Sequence, residues 1–502
     1  LGNAQKAEIA CRKAIELNPN LVNSHFLLGT ILLGQKKPQE AEQPLRKTIE
    51  LKHDFFEAHL NLGAVLKDLG QLQEAEKSFR KAIEIKPDFA DAYYNLGVVL
   101  KDLGQTKEAE LSIRKSIKFN HYFPNSHFIL GKILLEQRKL QEAEKSFLKV
   151  IDLKPDYPEA HSNLGHVLRD LGKFQEAESS IRKAIELNPD LENLHSNLGI
   201  ILRDLGKLQE AELSIRKAIE LNPCIAEAHS NLGTTLTYMG KLNEAEISLK
   251  KAIEIKPEFS IGYRELGICF YLMGNKRSAL NSLEKANSLD PKDKSNITLL
   301  SFFQKEQNSN NRGLKINENN NSFFETILDS NPLILNRKVE SELIDCLYKI
   351  KSRDQERYQG PTYGDARGSD YELFKRSESS IKTIKEDLTN ILISSFKSDI
   401  LIVDSFFTIF RSGGGLTSHN HLNSIDQIKG LNIGRQKFSL VYYLSVGDQN
   451  SEEPGILKLE NPNQDILPNN GLIIIFPAER KHSVFYKGQK DRIIIGLNFY
   501  SI

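Results

Sequence analysis

No stretch of this sequence approaches the roughly 20 consecutive apolar residues that a helix needs to cross a bilayer. No charge of one sign accumulates either. The 67 basic and 66 acidic residues nearly cancel, so neither nucleic acid nor an acidic membrane surface is an expected partner. Cysteine is scarce: Cys11, Cys224, Cys269 and Cys346 lack the spacing of a zinc site or a disulfide framework. They read as small apolar core residues of a reducing, cytoplasmic compartment. Tryptophan is absent and methionine occurs twice, neither at residue 1. The chain starts with Leu1 in mid-repeat by the register below and reads as a fragment, with further repeats expected upstream.

What is present is a strict period. Gly29, Gly63, Gly97, Gly131, Gly165, Gly199, Gly233 and Gly267 are 34 residues apart. With glycine as the eighth position of a 34-residue unit, the twentieth is always alanine: Ala41, Ala75, Ala109, Ala143, Ala177, Ala211, Ala245 and Ala279. The thirty-second is proline in Pro87, Pro155, Pro189, Pro223, Pro257 and Pro291. Small residues at two fixed positions imply two helices in close approach, and the proline stops the second helix. Apolar residues such as Leu62, Val65, Leu66 and Leu69 keep helical spacing. Each unit is a helix hairpin that must stack on its neighbours to bury its stripe. A partial unit precedes eight full ones, which start at residue 22.

This pattern resembles the tetratricopeptide repeats, and the glycine, alanine and proline columns carry the resemblance. The fourth position is histidine in His25, His59, His127, His161, His195 and His229. With no second ligand one turn on, these read as packing rings in place of the family's large aromatic. The sixth position is asparagine in Asn61, Asn95, Asn163, Asn197 and Asn231. That column resembles the asparagine ladder of the O-GlcNAc transferases, whose side-chain amides bind an extended peptide. An amide both donates and accepts, so it suits any peptide backbone. The alternative reading is solvated asparagine carried along by repeat duplication. Leu27, Ile129 and Glu265 interrupt the column.

Domain boundaries follow from composition. The array spans 1–293, and a capping helix over 294–306 carries Ile297, Leu299, Leu300 and Phe303. An Asn-rich linker covers 307–322, and a second domain occupies 323–502. That domain opens with two helical stretches. One holds Val339, Leu343, Ile344 and Leu347, with Asn336 as its N-cap; the other holds Ile381, Ile384, Leu388, Ile391 and Leu392. Between them lies Gly360 to Tyr371, rich in glycine and polar residues, a candidate loop over a site. Short strands are expected near 400–411, 416–422, 436–446, 455–460, 471–476, 481–486 and 491–500, the density of a barrel or sandwich.

The chemistry-bearing residues cluster in these strands. His419 and His421 are two apart, so on a strand both point to one face, a geometry suited to a divalent transition metal. His482 lies on a later strand, and Arg492 follows it by ten residues. The ordered set resembles the iron(II)- and 2-oxoglutarate-dependent dioxygenases, especially their prolyl-hydroxylase-like branch. Ser439–Leu444, Gly455 and Gly471–Pro477 resemble the family's intervening strands. The resemblance covers 400–502 well and 323–399 loosely. It implies a multidomain chain: an all-α tetratricopeptide-repeat superhelix, then an α+β domain with a double-stranded β-helix (jelly-roll) core. It implies Fe(II), 2-oxoglutarate and O2 as cofactor and co-substrates. His419, His421 and His482 would be the metal ligands. Arg492 would grip the co-substrate's far carboxylate, assisted by Tyr443 or Ser439.

The family's usual motif is His-X-Asp, and here His421 stands at the carboxylate position. Three arrangements are open: a three-histidine site, a site completed by Asp426, and a barrel that has lost its metal. The functions that follow are hydroxylation of a protein or peptide docked by the repeats, or a non-catalytic scaffold for protein–protein interaction.

Overall fold

The computed structural model describes residues 2–311, 331–350, 353–354, 362–363, 366–369, 371–411, 413–422, 426, 431 and 433–501. The chain divides into two compact units, Leu1–Pro189 and Asp190–Ile502. The last three repeats therefore fall in the same unit as the sheet domain.

Both units contain paired helices with one internal logic. Phe56–Asp68 pairs with Leu72–Ile85 in the first, and Glu192–Asp204 with Leu208–Leu221 in the second. A Cβ on Gly63 would come within 2.7 Å of the Phe79 ring, and one on Gly199 within 2.3 Å of Ile215. The same clash arises at Gly97 against Ile113 and at Gly233 against Leu249, always with the side chain sixteen residues on. The column alanines are fully buried beside them. These positions are small because the paired helices touch there.

The histidine column has a specific task. Nε2 of His25, His59, His127, His161 and His229 lies 2.8–3.1 Å from the carbonyl oxygen six residues back. That carbonyl belongs to the residue in the proline column, so each ring ties a helix start to the turn before it. On the exposed side, Arg46, Arg80 and Arg114 each bond a glutamate of their own helix and one in the next repeat.

Beyond the repeats a helix runs from Lys294 to Asn311, longer than the expected cap. The rest of the linker, 312–322, lies outside the described residues. Among the described residues twelve strands follow: β1 Leu333–Asn336, β2 Arg353–Asp354, β3 Thr362–Tyr363, β4 Ala366–Gly368, β5 Ile400–Phe410, β6 Gly414–His419, β7 Lys437–Ser445, β8 Leu457–Leu459, β9 Gln464–Ile466, β10 Leu472–Pro477, β11 His482–Tyr486 and β12 Arg492–Ser501. Two antiparallel sheets result, a seven-stranded one ordered β1-β10-β7-β12-β5-β4-β2 and a five-stranded one ordered β3-β6-β11-β8-β9.

Alternation gives the larger sheet two faces. Phe407, Ile409, Leu440, Tyr442, Ile473 and Ile495 pack on the helices Ser341–Lys349 and Ser379–Phe396. Phe410, Tyr443, Ile474, Phe476 and Ile494 point the other way, onto Leu457, Leu459, Val484 and Tyr486 of the smaller sheet. A bulge at Asn498/Phe499 interrupts the β12–β5 register. Past it, Leu401, Val403 and Tyr500 join Leu431 and Ile433 against Leu280, Leu283, Leu299, Phe302 and Phe303. The last repeat and its following helix therefore lie directly on the sheet domain, and Lys294 bonds Asp404 there at 2.8 Å.

Three expectations change. Asn336 is not a helix cap: it ends β1, opposite Leu472 on β10, and the helix begins at Ser341. Within Gly360–Tyr371 only 362–363, 366–369 and 371 are described, and they include β3 and β4. Cys269 is buried, with its thiol pushed up to about 11 by desolvation, but Cys224 is exposed in the turn after Pro223. Among the described residues no helix is long and apolar enough to cross a membrane.

Candidate metal centre and anion pocket

The three histidines arrive from two segments of the smaller sheet. His419 ends β6 and His482 opens β11, and the two face each other across the ladder. His421 lies just past the end of β6, held by its backbone N–H on the Ala478 carbonyl at 2.8 Å. Ring centroids are 4.3 Å apart for His419–His482, 4.9 Å for His419–His421 and 5.0 Å for His421–His482. One ring nitrogen from each falls within 4.8 Å of the others, close enough for one divalent ion to be shared. Burial pushes His421 down to about 3 and His482 to about 2, and the neighbouring histidines push the same way. Both imidazoles are held neutral, the state that binds metal.

Asp426 does not join them. Its carboxylate accepts from Lys437 Nζ at 2.8 Å and from the Tyr500 hydroxyl at 2.6 Å, and its side chain is fully buried in that pairing.

Arg492 opens β12 and enters the space between the sheets. It is completely buried. Nη1 donates to the Pro454 carbonyl at 2.8 Å, while Nε and Nη2 have no hydrogen-bond partner among the described residues. The guanidinium carbon lies 4.9 Å from the Tyr443 ring and 5.9 Å from the Tyr486 ring. Burial pulls its pKa below the ordinary arginine value, and the tyrosines oppose that shift. A guanidinium buried without a carboxylate is costly, and two unused donors sharpen the cost. Gly455, at φ +79°, makes the place possible, since a Cβ there would sit 1.5 Å from Nη1.

Among the described residues that line the cavity of the three histidines, Tyr443 and Arg492 there is no aspartate or glutamate. Of the residues expected to assist Arg492, Tyr443 is in place as a ring wall, its hydroxyl pKa raised by burial. Ser439 is differently engaged. Its hydroxyl donates to Asn498 Oδ1 at 2.8 Å, and Asn498 Nδ2 stands 3.5 Å from His421 Nδ1. The sequence reading missed Asn498, although a polar residue six positions, or three pleat periods, beyond Arg492 in an apolar strand was a usable signal. Tyr371, at the end of the loop expected over a site, lines the same cavity, as does Phe406, which the sequence reading missed.

The proposed peptide-binding asparagines lie along the first helices of their repeats, half-buried. Asn95 and Asn163 donate to the carbonyls of Asp91 and Glu159, at 2.8 and 2.7 Å. Asn61 donates to Thr30 Oγ1 and Asn231 to Ser196 Oγ, each reaching back one repeat. Asn197 also has a partner. Each bond described uses one N–H of an amide that has two, together with an oxygen.

The helical array is of the stacked-hairpin class, and comparisons name its family. Tetratricopeptide-repeat models match residues 10–43, 65–104, 90–120, 131–172, 158–191, 193–223 and 226–259. Residues 10–259 are tetratricopeptide repeats, a scaffold suited to protein–protein interaction. Solved structures with similarity include a tetratricopeptide repeat protein from Parabacteroides merdae, 19% identical over 50% of this chain and 98% of that one, TM-score 0.44. Another is the APC/C hetero-tetramer Cut9–Hcn1, 14% identical over 60% and 58%, TM-score 0.42. A third is YrrB, a tetratricopeptide protein with an unusual peptide-binding site, 23% identical over 37% and 95%, TM-score 0.30. A comparison with curated proteins found no match.

Proposed function

We propose that the sheet domain is an iron(II)- and 2-oxoglutarate-dependent oxygenase with a double-stranded β-helix core, acting on a protein or peptide that the repeats dock. The observation that carries this reading is Arg492, buried without a carboxylate and with two donors unused, in a cavity whose wall holds three clustered histidines. An orphaned fork of donors suits one end of a small dicarboxylate, and three neutral nitrogens suit a divalent ion.

His419, His421 and His482 would hold the iron, and Arg492 the carboxylate of 2-oxoglutarate farthest from it. Bound together, iron(II) and 2-oxoglutarate would supply the chemistry that places one atom of O2 in a C–H bond and the other in succinate, with CO2 released from the 2-oxoglutarate. The chain's own part is positional. Tyr443 and Tyr486 wall the guanidinium on two sides, so its donors keep one direction. Phe410, Leu457, Val484 and Ile494 exclude water around it, which strengthens an ion pair formed there. Asn498, fixed by Ser439, lies beside the His421 ring.

The test is anaerobic addition of iron(II), then 2-oxoglutarate, watching for the weak visible charge-transfer band of the chelate. The parent chain should give the band and, in air, release succinate slowly without substrate. Arg492→Met should bind iron but lose the band at co-substrate levels that saturate the parent, and Lys490→Ala should keep it. A parent chain that binds no iron would leave the repeat scaffold as the function.

A further inference from the structure

His421 and His482 sit on separate segments, and a short turn joins their positions. Pro477 ends β10 in the larger sheet and His482 opens β11 in the smaller one. Residues 478–481 make the crossing. The Ala478 N–H donates to the Lys437 carbonyl of β7 at 2.9 Å, and the Ala478 carbonyl accepts the His421 N–H at 2.8 Å. The Lys481 carbonyl accepts the Glu460 N–H at 2.9 Å. The next residue, His482, pairs with Leu459 on one side and with His419 on the other. The backbone of His421 and the start of the His482 strand therefore hang on one turn.

Arg480 ties that turn down. It is only 7% exposed. Nε donates to the Glu460 carbonyl at 3.1 Å, and Nη2 donates to the Pro462 carbonyl and, at 2.9 Å, to Gln464 Oε1. Glu460 directly follows β8 and Gln464 opens β9, so all three acceptors belong to the β8–β9 hairpin. Burial pulls the Arg480 pKa below the ordinary arginine value, the cost of holding a charge against neutral acceptors.

Arg337 shows the other use of a buried fork. Its side chain is 10% exposed and pairs with the carboxylates of Glu340 and Asp387. A guanidinium between carboxylates neutralises charge. One spread over three neutral oxygens of another segment chiefly fixes direction, because its donors are rigid and planar. Groups that orient metal ligands in this way tune affinity without touching the ion.

We infer that Arg480 is a positioning residue for the metal centre: its fork holds the 478–481 turn on the β8–β9 hairpin and, through the turn, sets His421 and His482 relative to each other. The inference rests on the three-histidine metal centre and not on 2-oxoglutarate.

The test titrates cobalt(II) alone into the full chain and follows its visible absorption, with His419→Ala marking the signal that belongs to this site. Arg480→Met should weaken cobalt binding about 10- to 100-fold. Arg480→Lys, which keeps a donor but not the fork, should recover part of the loss. Gln464→Leu removes one acceptor and should cost about fivefold, the worth of one neutral hydrogen bond. Arg337→Met breaks a comparably buried fork elsewhere in the domain. It should lower the urea midpoint and leave cobalt affinity unchanged. Unchanged affinity in Arg480→Met, or an equal loss in Arg337→Met, would overturn the positioning role. So would a parent chain that takes up no cobalt through His419. Where Arg480→Met does not fold, Gln464→Leu decides, and unchanged affinity there overturns the role. If cobalt responds as expected and the 2-oxoglutarate band never forms, the oxygenase reading falls and the role of Arg480 stands.

Discussion

The repeats and the sheet domain use their residues in opposite ways. In the array each contact recurs: a glycine against a side chain sixteen residues on, a buried alanine, a histidine on a turn carbonyl. In the sheet domain the consequential contacts occur once. Arg492 has one carbonyl, two tyrosines and one permissive glycine around it. Redundancy spreads a loss over many weak interfaces, while a singular buried charge concentrates it.

That contrast predicts a ranking. Gly455→Ala should act most strongly, because the new methyl group occupies the place of Arg492 Nη1 at a backbone angle that disfavours alanine. If the proposed 2-oxoglutarate site is right, co-substrate retention should fall on the order of 100-fold, the loss of two charge-assisted hydrogen bonds, as read by equilibrium dialysis. Gly199→Ala should follow. It overpacks Ile215 and should cost about 1–3 kcal/mol of local stability, seen as faster hydrogen exchange in that hairpin. Its effect on co-substrate retention should be nil, and a loss as large as that of Gly455→Ala would erase the contrast. His161→Phe keeps the ring but removes its bond to the Pro155 carbonyl, for about 1 kcal/mol, measured by urea unfolding. Arg80→Met breaks an exposed pair with Glu76 and Glu108. It should change stability by less than about 0.5 kcal/mol, and less still in high salt.

The same contrast explains what the sequence made legible. A contact repeated eight times writes itself as a column, so the glycines, alanines and prolines announced the helix pairs. The long strands β5, β7, β10 and β12 were readable because buried runs of Ile, Val and Phe are dense there. β1 was not: three apolar residues before an asparagine look like the approach to a helix, and only pairing with β10 makes them a strand. Ser439 was read as a co-substrate contact because residue type and face allowed it. Its commitment to Asn498 depends on two strands meeting in register, which no local pattern records. Phe406 escaped notice because its contact with Tyr371 joins residues thirty-five apart in the chain.

The seam where Leu401, Val403, Leu431 and Tyr500 meet Phe302 and Phe303 has a practical consequence. A fragment beginning at residue 323 would carry that apolar face uncovered into water, and sticky, poorly folding material is the expected product. Cutting instead ahead of Ser260 would keep the final hairpin and the helix behind it as a built-in lid, and recombinant yield of the two fragments should differ accordingly.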